Sequence, residues 1–154
     1  MKLDIITTAK ALGCGVPVGA FVASNEVASA FEPGDHGTTY GGNPYVTSAV
    51  NAVFEIFEQD GVLEHVKEIA PYLEEKLKEL VCKYDFVLEH RGMGLMQGLE
   101  FSFPVKDIIP KVMEKGLILI SAGANILRFV PPLIITKKNV DDMVQILDSV
   151  LSEL

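Results

Sequence analysis

The sequence has few cysteines, few positive charges and no long apolar run, and each shortage excludes a class of protein. Cys14 and Cys82 lie far apart and form no CxxC pair, which argues against a zinc site and a disulfide framework. The 21 Asp and Glu outnumber the 13 Lys and Arg, and no basic stripe provides the electrostatic footprint of nucleic-acid binding. No apolar segment reaches the ~18 residues that a membrane helix requires. We therefore expect a chain that crosses no membrane, binds no nucleic acid or metal, and works in a reducing cytoplasm.

Apolar residues are abundant for so acidic a chain. They make up 49% of the 154 residues, and the mean hydropathy is +0.30 although the net charge is -8. This length corresponds to one domain, or to a small domain with a piece of another. Since the apolar content exceeds what one small core needs, we expect part of it to contact a partner.

The first informative stretch surrounds Lys10. A strand-like run over residues 5–8 precedes this lysine, Gly13 and Gly15 permit a sharp turn after it, and residues 16–23 read as a second buried strand. Apolar surroundings would disfavour the ammonium form and make the neutral amine available for attack on a carbonyl. The alternative is a strand-end lysine that points into solvent.

The second stretch is the glycine-dense loop over residues 34–44, which runs directly into a helical pattern. Asn43 is a good helix N-cap and Pro44 a good first helical residue, while Thr38 and Thr39 place hydroxyls beside uncovered backbone amides. Such a loop can bind an anion. The alternative is a plain connection whose threonines cap something local.

The third stretch is a strand near the C-terminus that contains Arg128. Apolar residues surround this arginine in the sequence, and a buried guanidinium needs an anionic partner. Its planar fork suits a carboxylate, which would make Arg128 a carboxylate clamp. The alternative is an arginine on the outer face of an edge strand.

The remaining segments alternate between helical and strand patterns. Arg91 falls in a predicted hairpin turn over residues 91–94, where it binds an anion or is simply exposed. Helices are predicted over residues 24–31, 45–58, 63–84 and 105–115 and after the N-cap Thr136, and strands over residues 86–89, 95–103, 117–120 and 126–130.

Together, the segments TAKALG at residues 8–13, HGTTYGGNP at residues 36–44 and LRFVPP at residues 127–132 resemble the class III pyridoxal-phosphate-dependent aminotransferases. The resemblance covers essentially the whole chain. It implies an α/β fold, namely the C-terminal part of a fold-type I transferase. Residues 1–58 would be a remnant of the large cofactor-binding domain, and residues 59–154 a small C-terminal α/β domain.

The resemblance also implies roles for the residues singled out above. Lys10 would hold pyridoxal 5'-phosphate covalently and act as the catalytic proton shuttle. Thr39, with Thr38 beside it, would bind the cofactor phosphate of the neighbouring subunit in a homodimer, and Arg128 would bind the substrate α-carboxylate. The donor would be N-acetylornithine or a related ω-amino compound such as ornithine or 4-aminobutyrate, and the acceptor 2-oxoglutarate.

One departure from the family pattern concerns what precedes Lys10. In the family, roughly two thirds of the protein precede this segment and carry the aspartate on the cofactor ring nitrogen, the stacking aromatic residue and a phosphate loop. This chain has no counterpart of them, so we expect it to carry part of an active site and to be inactive alone. The alternative is a non-catalytic module that folds and associates without cofactor.

Overall fold

A computed structural model describes residues 3–154 of the chain. It divides into two compact units, the first ending at Gly61 and the second running from Val62 to Leu154. Gly61 adopts a left-handed φ of 62°, which stops one helix before the next begins.

The first unit contains a two-stranded antiparallel sheet. Strand β1 (Ile5–Ala9) pairs with strand β2 (Gly19–Ala23), and a short 3-10 helix (Lys10–Leu12) follows β1 directly. Every residue of both strands except Ala23 is exposed. The prediction that residues 16–23 form a buried strand is therefore wrong: the strand starts later, and two strands alone cannot enclose a face.

Two helices follow in the first unit, and their predicted caps are confirmed. Ser24 accepts a hydrogen bond from a backbone amide of α1 (Asn25–Ala28), which is shorter than predicted. Asn43 Oδ1 accepts from the Val46 amide, 3.1 Å away, at the start of α2 (Pro44–Gln59).

The second unit packs helices on one face of a four-stranded sheet. All neighbouring strands are antiparallel, in the order β3, β4, β6, β5. Its helices are α3 (Val62–Lys83), α4 (Ile108–Glu114) and α5 (Lys137–Leu151), and its strands are β3 (Val87–Met93), β4 (Met96–Phe101), β5 (Ile120–Ser121) and β6 (Ile126–Phe129).

The second unit encloses a continuous apolar core. Alternate residues of β4 and β6 point into it and meet the apolar stripes of α3 and α5. Six of its buried side chains are Leu77, Leu99, Phe101, Val112, Leu127 and Leu147. Thr136 caps α5 through reciprocal bonds with Asn139, so the predicted start of this helix is confirmed.

Two sequence predictions in this sheet are wrong. Arg91 was expected in a turn, but β3 continues to Met93 and Arg91 pairs with Gly98, so only Gly94 and its neighbour form the turn. The short strand expected over residues 117–120 is Ile120–Ser121. In both places, pairing with a neighbouring strand determined which residues are extended, and the local pattern of glycines and apolar residues did not.

Among residues 3–154, no helix has both the length and the apolar character needed to cross a membrane.

Candidate active site

Lys10 lies where β1 ends and the 3-10 helix begins. It adopts a left-handed φ of 55°, which costs a residue with a side chain roughly 1–2 kcal/mol. The backbone amide of Gly13 closes the turn after Lys10 by donating a hydrogen bond to the Lys10 carbonyl at 3.2 Å. A Cβ on Gly13 would lie 2.6 Å from the Val16 carbonyl oxygen, so this tight turn requires glycine.

The Lys10 side chain is exposed and bonds to no residue of the described chain. The predicted apolar surroundings are therefore absent here, because the apolar side chains of β1 and β2 that would supply them are themselves uncovered. Ile6 and Val22 face each other across the sheet and are 49% and 61% exposed. The amine is available to a ligand, and its setting is open to solvent.

The loop before α2 is folded against itself. Asn43 donates its side-chain amide to the Tyr40 carbonyl at 2.7 Å while its oxygen caps the helix. A Cβ on Gly41 would lie 2.0 Å from Thr38 Cγ2, so glycine is needed for the loop to approach that threonine. The hydroxyls of Thr38 and Thr39 are exposed and bond to no side chain or carbonyl in the described residues.

An aromatic contact that the sequence did not suggest connects this loop to β2. The rings of Phe31 and His36 lie 5.3 Å apart, and those of Phe21 and Phe31 lie 5.9 Å apart. In the sequence, these three rings lie within sixteen residues, but their spacing matches neither a helix nor a strand, so it did not predict the contact. His36 opens the HGTTYGGNP segment, so this contact fixes one end of the loop.

Arg128 lies in β6, an inner strand of the second unit. Leu127 and Phe129 are buried on the core face, while Arg128 projects from the opposite face and is exposed. Of the two interpretations of Arg128, the buried guanidinium is wrong and the outer-face position is confirmed, although β6 is not an edge strand. The reason is that a strand places adjacent side chains on opposite faces. Within residues 3–154, no carboxylate forms an ion pair with Arg128.

The second unit also contains a cavity of about 370 Å³. Arg128 is the only charged residue among those that line it, and Asn139 is the only polar one. The walls come from α3, β5, α5 and the segment Pro131–Pro132 after β6. This cavity was not predicted from the sequence.

The four candidate residues are divided between the two units. Lys10, Thr38 and Thr39 belong to the first, and Arg128 belongs to the second. Their chemistry suits pyridoxal phosphate and an amino-acid substrate: a primary amine condenses with a carbonyl, hydroxyls bind a phosphate, and a guanidinium binds a carboxylate. In the described part of the chain, no group of three His, Cys, Asp or Glu side chains could hold a metal ion.

Comparison with known proteins identifies the family to which the chain belongs. The family model described as "Aminotransferase class-III" matches residues 1–151. Acetylornithine aminotransferase of Methanocaldococcus jannaschii is 46% identical over 151 residues, which are 98% of this chain and 38% of that protein. The Caldanaerobacter subterraneus protein of the same name is 47% identical over 152 residues, with the same shares covered.

Solved structures give the same result for the fold. Ornithine aminotransferase from Plasmodium yoelii superposes with a TM-score of 0.92 at 31% identity, covering 99% of this chain and 42% of that one. Acetylornithine aminotransferase from Elizabethkingia anophelis gives 0.91 at 28% identity, covering 100% and 40%. The predicted fold, the C-terminal part of such a transferase, is confirmed. The chain spans about two fifths of the length of these relatives.

Proposed function

This chain belongs to the class-III aminotransferases, and from this premise we propose its function. It is part of an enzyme that uses pyridoxal phosphate to transfer an amino group from an ω-amino donor to 2-oxoglutarate. The names of the relatives at 46% and 47% identity favour N-acetylornithine as the donor. Ornithine and 4-aminobutyrate remain alternatives, because side-chain recognition would lie largely outside this chain. Residues 1–58 would belong to the large domain and residues 59–154 to the small one.

The observation that carries the proposal is the backbone of Lys10. A left-handed conformation at a residue with a side chain persists only when the surroundings impose it, and such residues cluster at functional sites. Here it presents a primary amine at the end of β1, with no bond to the described chain. Lys10 would hold the cofactor through Nζ. After the substrate amine has replaced it there, the free Lys10 amine would take the proton from the substrate Cα and deliver it to the cofactor carbon.

Thr38 and Thr39 would bind the cofactor phosphate through their hydroxyls. The loop is suited to this role because Asn43 fixes its far end, and the Phe31 and His36 rings fix its start. Following the family resemblance, we propose that the loop serves the neighbouring subunit of a homodimer. Each dimer would then contain two composite sites.

Arg128 would bind the α-carboxylate of the substrate. Its guanidinium is exposed and has no carboxylate partner in the described chain, so an incoming carboxylate displaces no internal ion pair. The bidentate geometry of such a pair would hold the substrate carboxylate in one orientation.

Pyridoxal phosphate, when bound, supplies a carbonyl that condenses with amines and a protonated ring that accepts the electron pair released at the substrate Cα. Within the described residues, no carboxylate on β1 or β2 is available to keep the ring nitrogen protonated. We propose that a counterpart of the part of the relatives that this chain does not match provides that group.

A second candidate is a non-catalytic module. The exposed apolar side chains of β1 and β2 favour it, since a chain with such a surface associates whether or not it binds a cofactor. The two candidates are separated with this chain joined to the N-terminal part of the Methanocaldococcus jannaschii relative, mixed with pyridoxal phosphate, dialysed and examined by its absorbance spectrum. Retained cofactor supports the enzyme, and complete loss supports the module.

The test of Lys10 traps the cofactor on its lysine. The chain is joined to the N-terminal part of the Methanocaldococcus jannaschii relative, loaded with pyridoxal phosphate, reduced with borohydride and mapped by mass spectrometry. We expect the label on the peptide that contains Lys10 and none on that peptide in Lys10→Ala. Lys106→Ala, which changes another exposed lysine, should label normally. Stable, stoichiometric labelling of Lys10→Ala at another lysine would contradict the assignment.

The phosphate role can be tested with two glycines of the same loop. Gly41→Ala pushes the new methyl against Thr38, whereas a Cβ on Gly37 has no atom within 4 Å. Gly41→Ala should therefore weaken cofactor binding by about three- to tenfold, while Gly37→Ala leaves it unchanged. Thr39→Val should reproduce the loss. Equal cofactor affinity in all three variants would contradict the role of this loop.

A further inference from the structure

Both arginines of the 154-residue sequence lie on one face of the second sheet. Gly98 of β4 pairs with Arg91 of β3 on one side and with Arg128 of β6 on the other. Directly paired residues project from the same face, which here is the face opposite the core. The two guanidinium groups therefore flank a position that has no side chain.

Glu100 lies on the same face, two residues after Gly98 in β4. It is the diagonal neighbour of both arginines, and diagonal neighbours are within reach of long side chains. In the structure it forms an ion pair with Arg91, and no described carboxylate pairs with Arg128. The Arg91 and Glu100 side chains are 52% and 32% exposed, so the pair is open to competition by solvent and by other ions.

A second carboxylate lies close to Glu100 and makes a cationic partner for Glu100 more favourable. Glu89 of β3 is paired directly with Glu100, and like charges in that position repel each other. Without Arg91, Arg128 would be the one arginine left for Glu100 to bind. Arg128 would then carry an internal carboxylate where the proposed function requires a vacant guanidinium.

We propose that Arg91 is a positioning residue that retains Glu100 and so keeps Arg128 free for the substrate carboxylate. The inference rests on the proposed role of Arg128 and adds a second arginine that acts without touching substrate. Gly98 keeps the space between the two guanidinium groups open. A Cβ at this position would stand between them and would lie 3.2 Å from Ile126 Cγ2.

The first arm of the test needs no substrate. Because the chain has two arginines, selective ¹⁵N-arginine labelling gives two side-chain Nε–Hε signals in its NMR spectrum. In Arg91→Gln, the Arg128 signal should shift and exchange more slowly with water, and it should return in Arg91→Gln/Glu100→Gln. Glu100→Gln alone should move only the Arg91 signal. An Arg128 signal that stays unchanged in Arg91→Gln, with the backbone amide spectrum preserved, would overturn the proposal.

The second arm measures kinetics in the joined enzyme described above. Arg91→Gln should raise KM for 2-oxoglutarate about two- to fivefold with kcat unchanged, as expected for competition by an exposed ion pair, and the double variant should restore it. If Arg128→Gln leaves KM unchanged, the role of Arg128 in the proposed function is overturned. If Arg128→Gln raises KM but Arg91→Gln does not, the proposed function stands and this inference falls.

Discussion

Two sheets of this chain are built from similarly apolar strands, but only one of them is enclosed. Strands β4 and β6 bury Leu99, Phe101 and Leu127 completely beneath helices, whereas Ile6 and Val22 of β1 and β2 are about half exposed. The difference lies in what the chain supplies: the second unit contains its own helical layer, and the first does not. Apolar strands by themselves therefore do not show that a layer of the same chain covers their sheet.

The side-chain hydrogen bonds show the same contrast. Among residues 3–61, every one joins residues three or four apart. In the second unit, Tyr72 bonds to Asp141 and His65 to the Ile135 carbonyl across about seventy residues of sequence. The second unit is therefore expected to fold as a cooperative domain, and the first to become ordered with a partner.

Supplying that partner should have the strongest effect on activity. The purified chain alone should form glutamate from N-acetylornithine and 2-oxoglutarate at least about a thousandfold more slowly than the chain mixed with the N-terminal part of the Methanocaldococcus jannaschii relative. A coupled glutamate assay measures both. Turnover by the chain alone near the ~1–10³ s⁻¹ of complete enzymes would show that its residues suffice.

The next effect concerns stability. Leu77 on α3 is completely buried, so Leu77→Ala should lower the free energy of unfolding by about 3 kcal/mol through lost burial and a residual cavity. Leu63→Ala on the same helix removes a side chain that is 52% exposed and should cost less than about 1 kcal/mol. Urea titration followed by circular dichroism measures both. Equal losses would mean that the core of the second unit does not control unfolding.

The features that could be predicted from sequence are those that local chemistry decides. Asn43 and Thr136 cap helices because their own side chains reach amides within one turn. The hairpin turn and the short strand β5 were misplaced because pairing partners decide register. The apolar sequence neighbours of Arg128 left both a buried and an outer-face position open, and strand alternation decided for the outer face. The exposure of β1 and β2 could not be predicted, because the apolar pattern of a strand does not show whether a helix of the same chain packs on it.

A charge on the exposed sheet of the first unit should weaken association of the chain. Ile6→Glu places a charge on the apolar face of β1 opposite Val22, and it should reduce the mass of the associated chain measured by light scattering at least about twofold. Leu88→Glu puts the same charge at a 55% exposed leucine of β3 in the second unit and should leave the mass unchanged. If both variants lower the mass equally, association is not specific to the first unit.

The smallest effect concerns the polar contacts that join α3 to α5. Asp148 accepts hydrogen bonds from Lys83 at 2.6 Å and from the Tyr84 hydroxyl at 2.8 Å. Lys83 lowers the pKa of the Asp148 carboxyl, and Tyr84 adds to that effect against the opposing influence of burial. Because the pKa is lower in the folded chain, the unfolded chain binds more protons in the acid range, and stability rises with pH there.

Asp148→Asn should therefore reduce stability at neutral pH by at most about 1 kcal/mol, since the pair is partly exposed. The difference from the unaltered chain should shrink as pH falls through the lowered pKa of Asp148, where the carboxyl becomes protonated in both states. Asp142→Asn, which breaks a more exposed pair with Lys138 on the same helix, is the matched control and should cost less. Thermal unfolding between about pH 2 and pH 7 measures both curves. A gap between Asp148→Asn and the unaltered chain that does not depend on pH would mean that the contribution of Asp148 comes from packing, not from its charge.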